Sequence, residues 1–408
     1  MLLSKLLEGN ITAGRLTIID ATGKIHRFGA ADASPGSTIR FHDKSLHYKM
    51  LLNPELYLGE AYMNGTLTIE EGTLSDFLHV CVMNFRAMRT NTAYRITAKF
   101  SFLFMRLQHF NSVARAKQHV APHYDDTDAI TEMFLDPDLQ YTCAYYDTPN
   151  ASLEHAQEAK KKHIAAKLLL KPGNSVLEMG CGWGGFALYL SRIADVDVVG
   201  VTLSKRQYET AVKRAAAAGM SDRVTFHCRD FREQTGRYDR VVAVGLLEQL
   251  GARFYPELFD KVYDVLEDDG VALIHAIGAS DVPRATNPWI RKYIFPGGYV
   301  PALSEVLPAI EKAGLIVTDI EILRLHYAET PKHWSERFAR NRSKIVELHG
   351  ERYCRMFEFY LIICEMGFRY MGHMVFQIQL TKRIDTVPLT RDYIADWKDT
   401  NTRGAAVA

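Results

Sequence analysis

Between Ser175 and Ile193 the chain runs through a strand-like segment, an acid, a cluster of glycines and a helical pattern. The central residues are Val176-Leu177-Glu178-Met179-Gly180-Cys181-Gly182-Trp183-Gly184-Gly185. A strand, a glycine turn and a helix let a nucleoside cofactor lie against bare backbone, with the helix N-terminus favouring negative charge. Glycine is required where a Cβ would block that approach or forbid the turn. Gly180, Gly182 and Gly185 fit G-x-G-x-x-G, which admits an NAD or FAD enzyme. Such enzymes place a ribose-binding acid roughly 20 residues further on. Here that place holds Thr202-Leu203-Ser204-Lys205, without an acid.

The same glycines read with Glu178 give E-x-G-x-G-x-G, a form typical of S-adenosylmethionine methyltransferases, which bind a shorter nucleoside. Asp230 follows the third strand candidate, where a carboxylate can accept the adenine amino group and Phe231 can pack on the ring. A glycine turn that binds nothing is the poorer reading, because each glycine costs backbone entropy.

The elements that must position these residues alternate from about Glu158 onward. Strands are expected at Ser175–Glu178, Val196–Val201, Val224–Cys228, Arg240–Val244 and Val271–Ala276. Helices are expected at Gly185–Ile193, Lys205–Ala218 and Arg253–Val265. This predicts an α/β fold with a mostly parallel, doubly wound sheet, binding ligands at the carboxyl ends of its strands. The first 85 or so residues read as a smaller α+β domain. Gly14–Ile19 and Gly23–Phe28 form a hairpin about Asp20-Ala21-Thr22-Gly23, and a helix follows at Pro54–Met63.

With 408 residues the chain is too long for one ordinary core. Lys+Arg 49 against Asp+Glu 48 gives a net charge of +1, so no global field steers it to nucleic acid. No run approaches the roughly 20 apolar residues of a membrane span, and Met1–Asn10 is too short and polar for a secretory signal. Cysteines 81, 143, 181, 228, 354 and 364 are scattered without Cys-x-x-Cys, which suits a reducing cytoplasm. One stretch departs from this average. Residues 77–124 lack any acid but carry Arg86, Arg89, Arg95, Lys99, Arg106, Arg115 and Lys117 around Phe100-Ser101-Phe102-Leu103-Phe104-Met105. It reads either as helices lying on anionic lipid or as a connector with a solvated basic face.

Many ordered blocks resemble the cyclopropane-fatty-acid-phospholipid synthases, including the mycolic acid cyclopropane synthases. They include His123-Tyr124-Asp125, Phe134-Leu135-Asp136, Tyr141-Thr142-Cys143-Ala144-Tyr145 and the glycine motif. Gly200-Val201-Thr202-Leu203-Ser204 with Gln207, Asp230-Phe231-Arg232, Gly245-Leu246-Leu247-Glu248 and His275-Ala276-Ile277-Gly278 follow. Trp289 to Gly298 and Glu336-Arg337-Phe338 complete the set. Leu58-Gly59-Glu60-Ala61-Tyr62-Met63-Asn64-Gly65 looks like the N-terminal domain of the full-length bacterial enzymes. The resemblance implies a Rossmann-like class I methyltransferase. It implies transfer of a methylene or methyl group from S-adenosylmethionine to the cis double bond of an unsaturated phospholipid acyl chain. It further implies cofactor contacts at Tyr141, Thr142, Gly180, Gly182, Thr202, Leu203, Ser204, Gln207, Asp230 and Phe231.

Methylation of an alkene leaves a carbocation, which aromatic faces can stabilise and from which a base must remove a proton before the ring closes. In the family that base is thought to be bicarbonate. Its carried-over positions are Cys143, Glu248, His275, the Ile277 backbone and Tyr327, the last placed by its spacing to Trp334. Glu248 can accept from the bicarbonate hydroxyl, while His275, Tyr327 and the backbone N–H groups at Cys143 and Ile277 can donate. One departure is Glu248-Gln249, where the family usually has Glu-His. It leaves open a hydride shift before proton loss, giving a methylene-branched chain that a later reduction would turn into a methyl-branched one. His119 and His123 have an i, i+4 spacing, but Pro122 breaks the helix such a pair needs, so no metal is expected.

The implied organisation is a lipid-associating domain at 1–115, the methyltransferase domain at 116–385 and a polar tail at 386–408. A homodimer, cytoplasmic and peripheral on the inner face of the membrane, is expected, and an acyl substrate favours the lipid reading of 77–124. Methylation of a small soluble amine is the alternative from a different substrate class.

Overall fold

The computed structural model describes residues 2–89 and 128–405. The strands are β1 (Arg15–Ile19), β2 (Ile25–Phe28), β3 (Gly36–Phe41), β4 (Leu67–Glu71), β5 (Ser175–Met179), β6 (Asp197–Thr202), β7 (Val224–Cys228), β8 (Tyr238–Val244), β9 (Leu266–Ala279), β10 (Ile316–Leu323) and β11 (His373–Thr381). The helices that matter below are α1 (Pro54–Met63), α2 (Leu74–Arg89), α3 (Leu153–Lys167), α4 (Gly185–Ala194), α5 (Lys205–Ala217), α6 (Tyr255–Val265), α7 (Leu303–Lys312), α8 (His326–Arg340), α9 (Glu351–Tyr370) and α10 (Asp392–Ala405). The described residues fall into two compact units. One is drawn from Met1–Gln108, Ala285–Pro296 and Ala328–His373, the other from His109–Arg284, Gly297–Tyr327 and Met374–Ala408. The units are interleaved along the chain rather than consecutive, because two later segments return to the first unit.

In the first unit the sheet order is β2-β1-β3-β4. The expected hairpin forms, β1 pairing antiparallel with β2, and β1 then pairs parallel with β3. Asp20 closes the turn, its Oδ1 accepting from the N–H groups of Thr22 (2.9 Å) and Lys24 (3.1 Å). Helix α1 starts at Pro54 behind Asn53, whose side chain accepts from Leu56 N at 3.2 Å. The motif around Gly59 has structural reasons. A Cβ on Gly59 would stand 2.5 Å from Trp289 Nε1. Glu60 Oε1 accepts from Lys292 Nζ and Tyr293 OH, each at 2.7 Å, and Tyr62 OH donates to Glu358 of α9 at 3.2 Å. Of the basic stretch, α2 reaches Arg89; residues 90–124, with His119 and His123, lie outside the described residues.

The second unit holds a seven-stranded sheet in the order β10-β11-β9-β8-β5-β6-β7. Strands β9, β8, β5, β6 and β7 pair in parallel. The chain moves outward one way through β6 and β7 and the other way through β8 and β9, so the switch point lies between β5 and β8. Strand β5 is buried along Val176–Met179, the continuous burial expected of a sheet covered on both faces. Its core joins Val176, Phe186, Leu190, Val198, Phe226, Val242 and Leu273. Each predicted strand and helix here is present, with ends shifted by a few residues; β9 extends furthest, from Leu266 to Ala279. The sheet continues beyond the expectation in β10 and β11, which pair antiparallel with a bulge between Val317 and Asp319. Within the expected polar tail, residues 392–405 form α10, which packs on α3. It is tied by Tyr393 OH, which accepts from Gln379 Nε2 at 2.9 Å, and by Arg391–Asp319 at 3.2 Å.

Candidate active site

At the carboxyl end of β5 the glycines divide into two kinds. Gly184 and Gly185 are packing glycines. A Cβ on Gly184 would meet Phe226 Cζ at 2.6 Å, and one on Gly185 would collide with the Asp138 carboxylate. Gly180 and Gly182, at φ +83° and +52°, are open. A Cβ on Gly182 would meet nothing within 4 Å, so bare backbone faces free space there. The N–H groups of Gly180 and Cys181 bind Val201 O at 2.9 and 3.0 Å, holding the turn to β6. Beyond β6, Ser204 caps α5 by accepting from Gln207 N at 3.2 Å, and Thr202 Oγ1 donates to Gln207 Oε1 at 2.8 Å. All three are buried, with Leu203 half-buried between them. Asp230 is buried and caps the following 3-10 turn. Its two oxygens each take a hydrogen bond of 2.8 Å from the Arg232 guanidinium, which lies over the buried Phe231 ring.

The segment 136–146 is strapped to this turn. Asp138 binds Lys161 Nζ at 2.8 Å and the Arg214 guanidinium, and Arg214 also donates to Trp183 O at 3.0 Å. From α3, Gln157 Nε2 donates to Gln140 O (3.1 Å) and Thr142 O (3.0 Å). One turn on, Lys160 Nζ donates to Gln140 Oε1 (2.5 Å) and Thr142 Oγ1 (2.9 Å). Thus two side chains of one helix face fix the loop that carries Tyr141, Thr142 and Cys143. Burial pulls the Lys160 ammonium down to about 8 and pushes the nearby Glu178 carboxyl up to about 8. Cys143 is 1% exposed and its thiol donates to Ala144 O at 3.3 Å. Tyr145 is stacked between His163 (4.2 Å) and His326 (4.7 Å).

Glu248 reaches the strand that carries His275 because β8 and β9 are in register, Val244 opposite His275. Glu248 lies in the 3-10 turn just past β8. Its Oε1 accepts from Ile277 N at 2.5 Å, and its Oε2 is buried without a partner among the described residues. Burial pushes this carboxyl up to about 7. The Ile277 N–H, expected to face an anion, is directed instead at Glu248. His275 is 3% exposed, and burial, with Lys160 and Lys167 adding to it, lowers its ring to about 3, so it is neutral at physiological pH. Thr142 comes to the same strand end, its Cγ2 standing 3.2 Å from where a Cβ on Gly245 would be. Tyr327 is buried in the first turn of α8. Gln157, Lys160 and Gln377, the last of which contacts His275, were not singled out from sequence. Lys160 sits in a run of three lysines that reads as a solvated face, while Gln377 did leave a trace as an amide inside an apolar strand.

A family model described as mycolic acid cyclopropane synthetase matches residues 111–378. The chain belongs to that family. It is therefore an S-adenosylmethionine-dependent methyltransferase acting in lipid modification. A second model, a domain of unknown function, matches residues 4–92. The cyclopropane-fatty-acyl-phospholipid synthase of Escherichia coli is 33% identical over 87% of this chain and 91% of its own. The S-adenosylmethionine-dependent methyltransferase UmaA of Mycobacterium tuberculosis is 34% identical over 64% of this chain and 95% of its own. Among solved structures, the mycolic acid cyclopropane synthase CmaA1 complexed with SAH and CTAB matches with a TM-score of 0.61 at 30% identity, covering 65% of this chain and 97% of that one. Among the described residues of this family member no helix is long and apolar enough to cross a membrane, and no group of three or more His, Cys, Asp or Glu could hold a metal.

Proposed function

We propose that this methyltransferase acts on the cis double bond of unsaturated phospholipid acyl chains and forms cyclopropane fatty acids. The observation that carries the reading is Glu248: a carboxyl whose pKa burial raises, with one oxygen fixed by Ile277 N, two residues along β9 from the neutral His275, and the other without a partner among the described residues. Perturbed, convergent groups of this kind mark reaction centres. The open backbone at Gly180 and Gly182, with the Thr202–Gln207 loop, fits S-adenosylmethionine, and the cofactor bound there supplies an electrophilic methyl group.

The residues around the centre suit proton removal in a dry site. Glu248 Oε2, His275, the Cys143 backbone and Tyr327 are the groups that would hold bicarbonate, which supplies the proton acceptor. Ile277 acts through Glu248 by orienting its carboxylate. Gln157 and Lys160 keep the Tyr141–Cys143 loop in place, and the burial of Cys143 and His275 excludes water, which would otherwise intercept a carbocation. Asp230 takes the adenine amino group on lone pairs left over from its bonds to Arg232.

Access to an acyl substrate requires a lipid surface. The acid-free, arginine-rich stretch 77–124 supports peripheral attachment to an anionic bilayer on the cytoplasmic side. The assembly proposed is a homodimer, which the scattering mass in solution checks.

The deciding experiment incubates the enzyme with S-adenosylmethionine and unsaturated phospholipid vesicles and reads the fatty acids by mass. A gain of one CH₂ that resists mild hydrogenation is the expected result. A product that hydrogenates would assign a methylene branch, the outcome that Gln249 beside Glu248 leaves open, and absence of any methylated lipid would sink both readings.

A further inference from the structure

Strand β11 runs Met374-Val375-Phe376-Gln377-Ile378-Gln379-Leu380 and is buried along its whole length after His373. Two amides inside such a strand are costly, since a buried polar group without a partner loses about 1–3 kcal/mol. Gln379 has a full structural explanation. Its Nε2 donates to Lys167 O at 2.6 Å and Tyr393 OH at 2.9 Å, and its Oε1 accepts from Thr318 Oγ1 at 2.9 Å. Gln377 is different. It is 0% exposed, and among the described residues its Oε1 has no partner while its Nε2 bonds to His275 Nδ1 at 3.1 Å. An apolar residue would fill the position without that penalty.

The bond decides where the imidazole carries its proton. A neutral histidine has one N–H and one acceptor nitrogen, and the hydrogen bond made by one nitrogen sets the state of the other. With the Gln377 amide donating, Nδ1 is the acceptor and Nε2 bears the hydrogen. No group among the described residues accepts from Nε2. We infer that Gln377 is a positioning residue that locks His275 in its Nε2–H tautomer, so that the ring meets the reaction centre only as a hydrogen-bond donor. The inference rests on the reading of His275 given under Proposed function, and it adds how that ring is kept from acting as a base.

The full chain labelled with ¹⁵N-histidine tests it, the His275 signals being identified by their loss in H275Q. The expected spectrum at neutral pH shows Nε2 protonated and Nδ1 bare. A proton on Nδ1 would mean that the amide is turned the other way and would overturn the assignment. In Q377L the two tautomers should mix and kcat should fall at least about tenfold, the usual scale for losing an orienting partner, while affinity for S-adenosylmethionine is unchanged. Full turnover in Q377L with loss of turnover in H275Q would overturn the role of Gln377 and leave the site reading intact. Full turnover in H275Q would overturn both. The wild-type spectrum stands even if Q377L does not fold.

Discussion

At the scale of single residues, Glu248 and Gly182 bear on the site and the buried Glu178 bears on stability. Glu248 keeps its proton until about pH 7, because its surroundings penalise the charge. A step that needs its carboxylate as acceptor therefore gains rate as pH rises through 7. Glu248→Gln should remove that limb of the kcat profile and lower turnover by roughly two orders of magnitude, leaving S-adenosylmethionine binding intact in calorimetry. Gly182→Val should weaken that binding by more than about tenfold, equivalent to about 1.4 kcal/mol. A side chain there would be strained at φ +52° and would stand in the open cradle; unchanged affinity would put the cofactor elsewhere. Glu178 bears on stability. Its folded pKa of about 8 lies above its ordinary 4.5, so the stability it contributes is whole below about pH 4.5 and is lost as pH rises through 8. Urea melts of Glu178→Gln should lose about 3 kcal/mol less than wild type between pH 5 and 7.5. Glu248 was legible in the sequence because it follows an apolar strand, whereas His275 lies inside one and was legible only through the family motif around it. Lys160 was not, since neighbouring lysines on a helix look alike until tertiary packing turns one inward.

At the scale of elements, the strand–helix alternation from β5 to β9 was readable because buried parallel strands are unbroken apolar runs. Strands β10 and β11 escaped that pattern. Asp319 and Glu321 interrupt one and Gln377 and Gln379 the other, and their partners are far away in the chain. Glu321 Oε2 lies 2.6 Å from His163 Nε2 and 2.5 Å from Lys167 Nζ, and Lys167 is fully buried. Glu321→Ala should therefore cost about 3 kcal/mol, the scale for leaving a buried charge short of its partner, read as a fall in the denaturation midpoint. A midpoint within error of wild type would show that Asp319, 3.5 Å from the same ammonium, suffices. Helix α10 was hidden for a related reason: a stretch of mixed charge gives no periodic signal, and Tyr393, Ile394 and Trp397 find their apolar surroundings only in the folded unit.

For the whole molecule, a net charge of +1 provides no long-range attraction to a membrane. Attachment must be local, and the candidate is the stretch 77–124. Neutralising Arg86, Arg89 and Arg95 together should weaken binding to anionic vesicles by about 1 kcal/mol per charge at low salt, with the difference fading as salt rises. Equal co-sedimentation of variant and wild type at low ionic strength would assign the stretch to a soluble connector.

The interleaving of the two units also orders events during synthesis. The four strands of the first unit are complete by Glu71, yet Glu358, which accepts from Tyr62, is made 296 residues after it. At ribosomal rates of about 5–20 residues per second, that partner arrives roughly 15–60 s later. Through that interval α1 and α2 lack α9, which packs on both in the folded protein. Ribosome complexes stalled before residue 351 should therefore be more sensitive to protease in residues 54–71 than the released protein, and equal sensitivity would show that the first unit closes without α9.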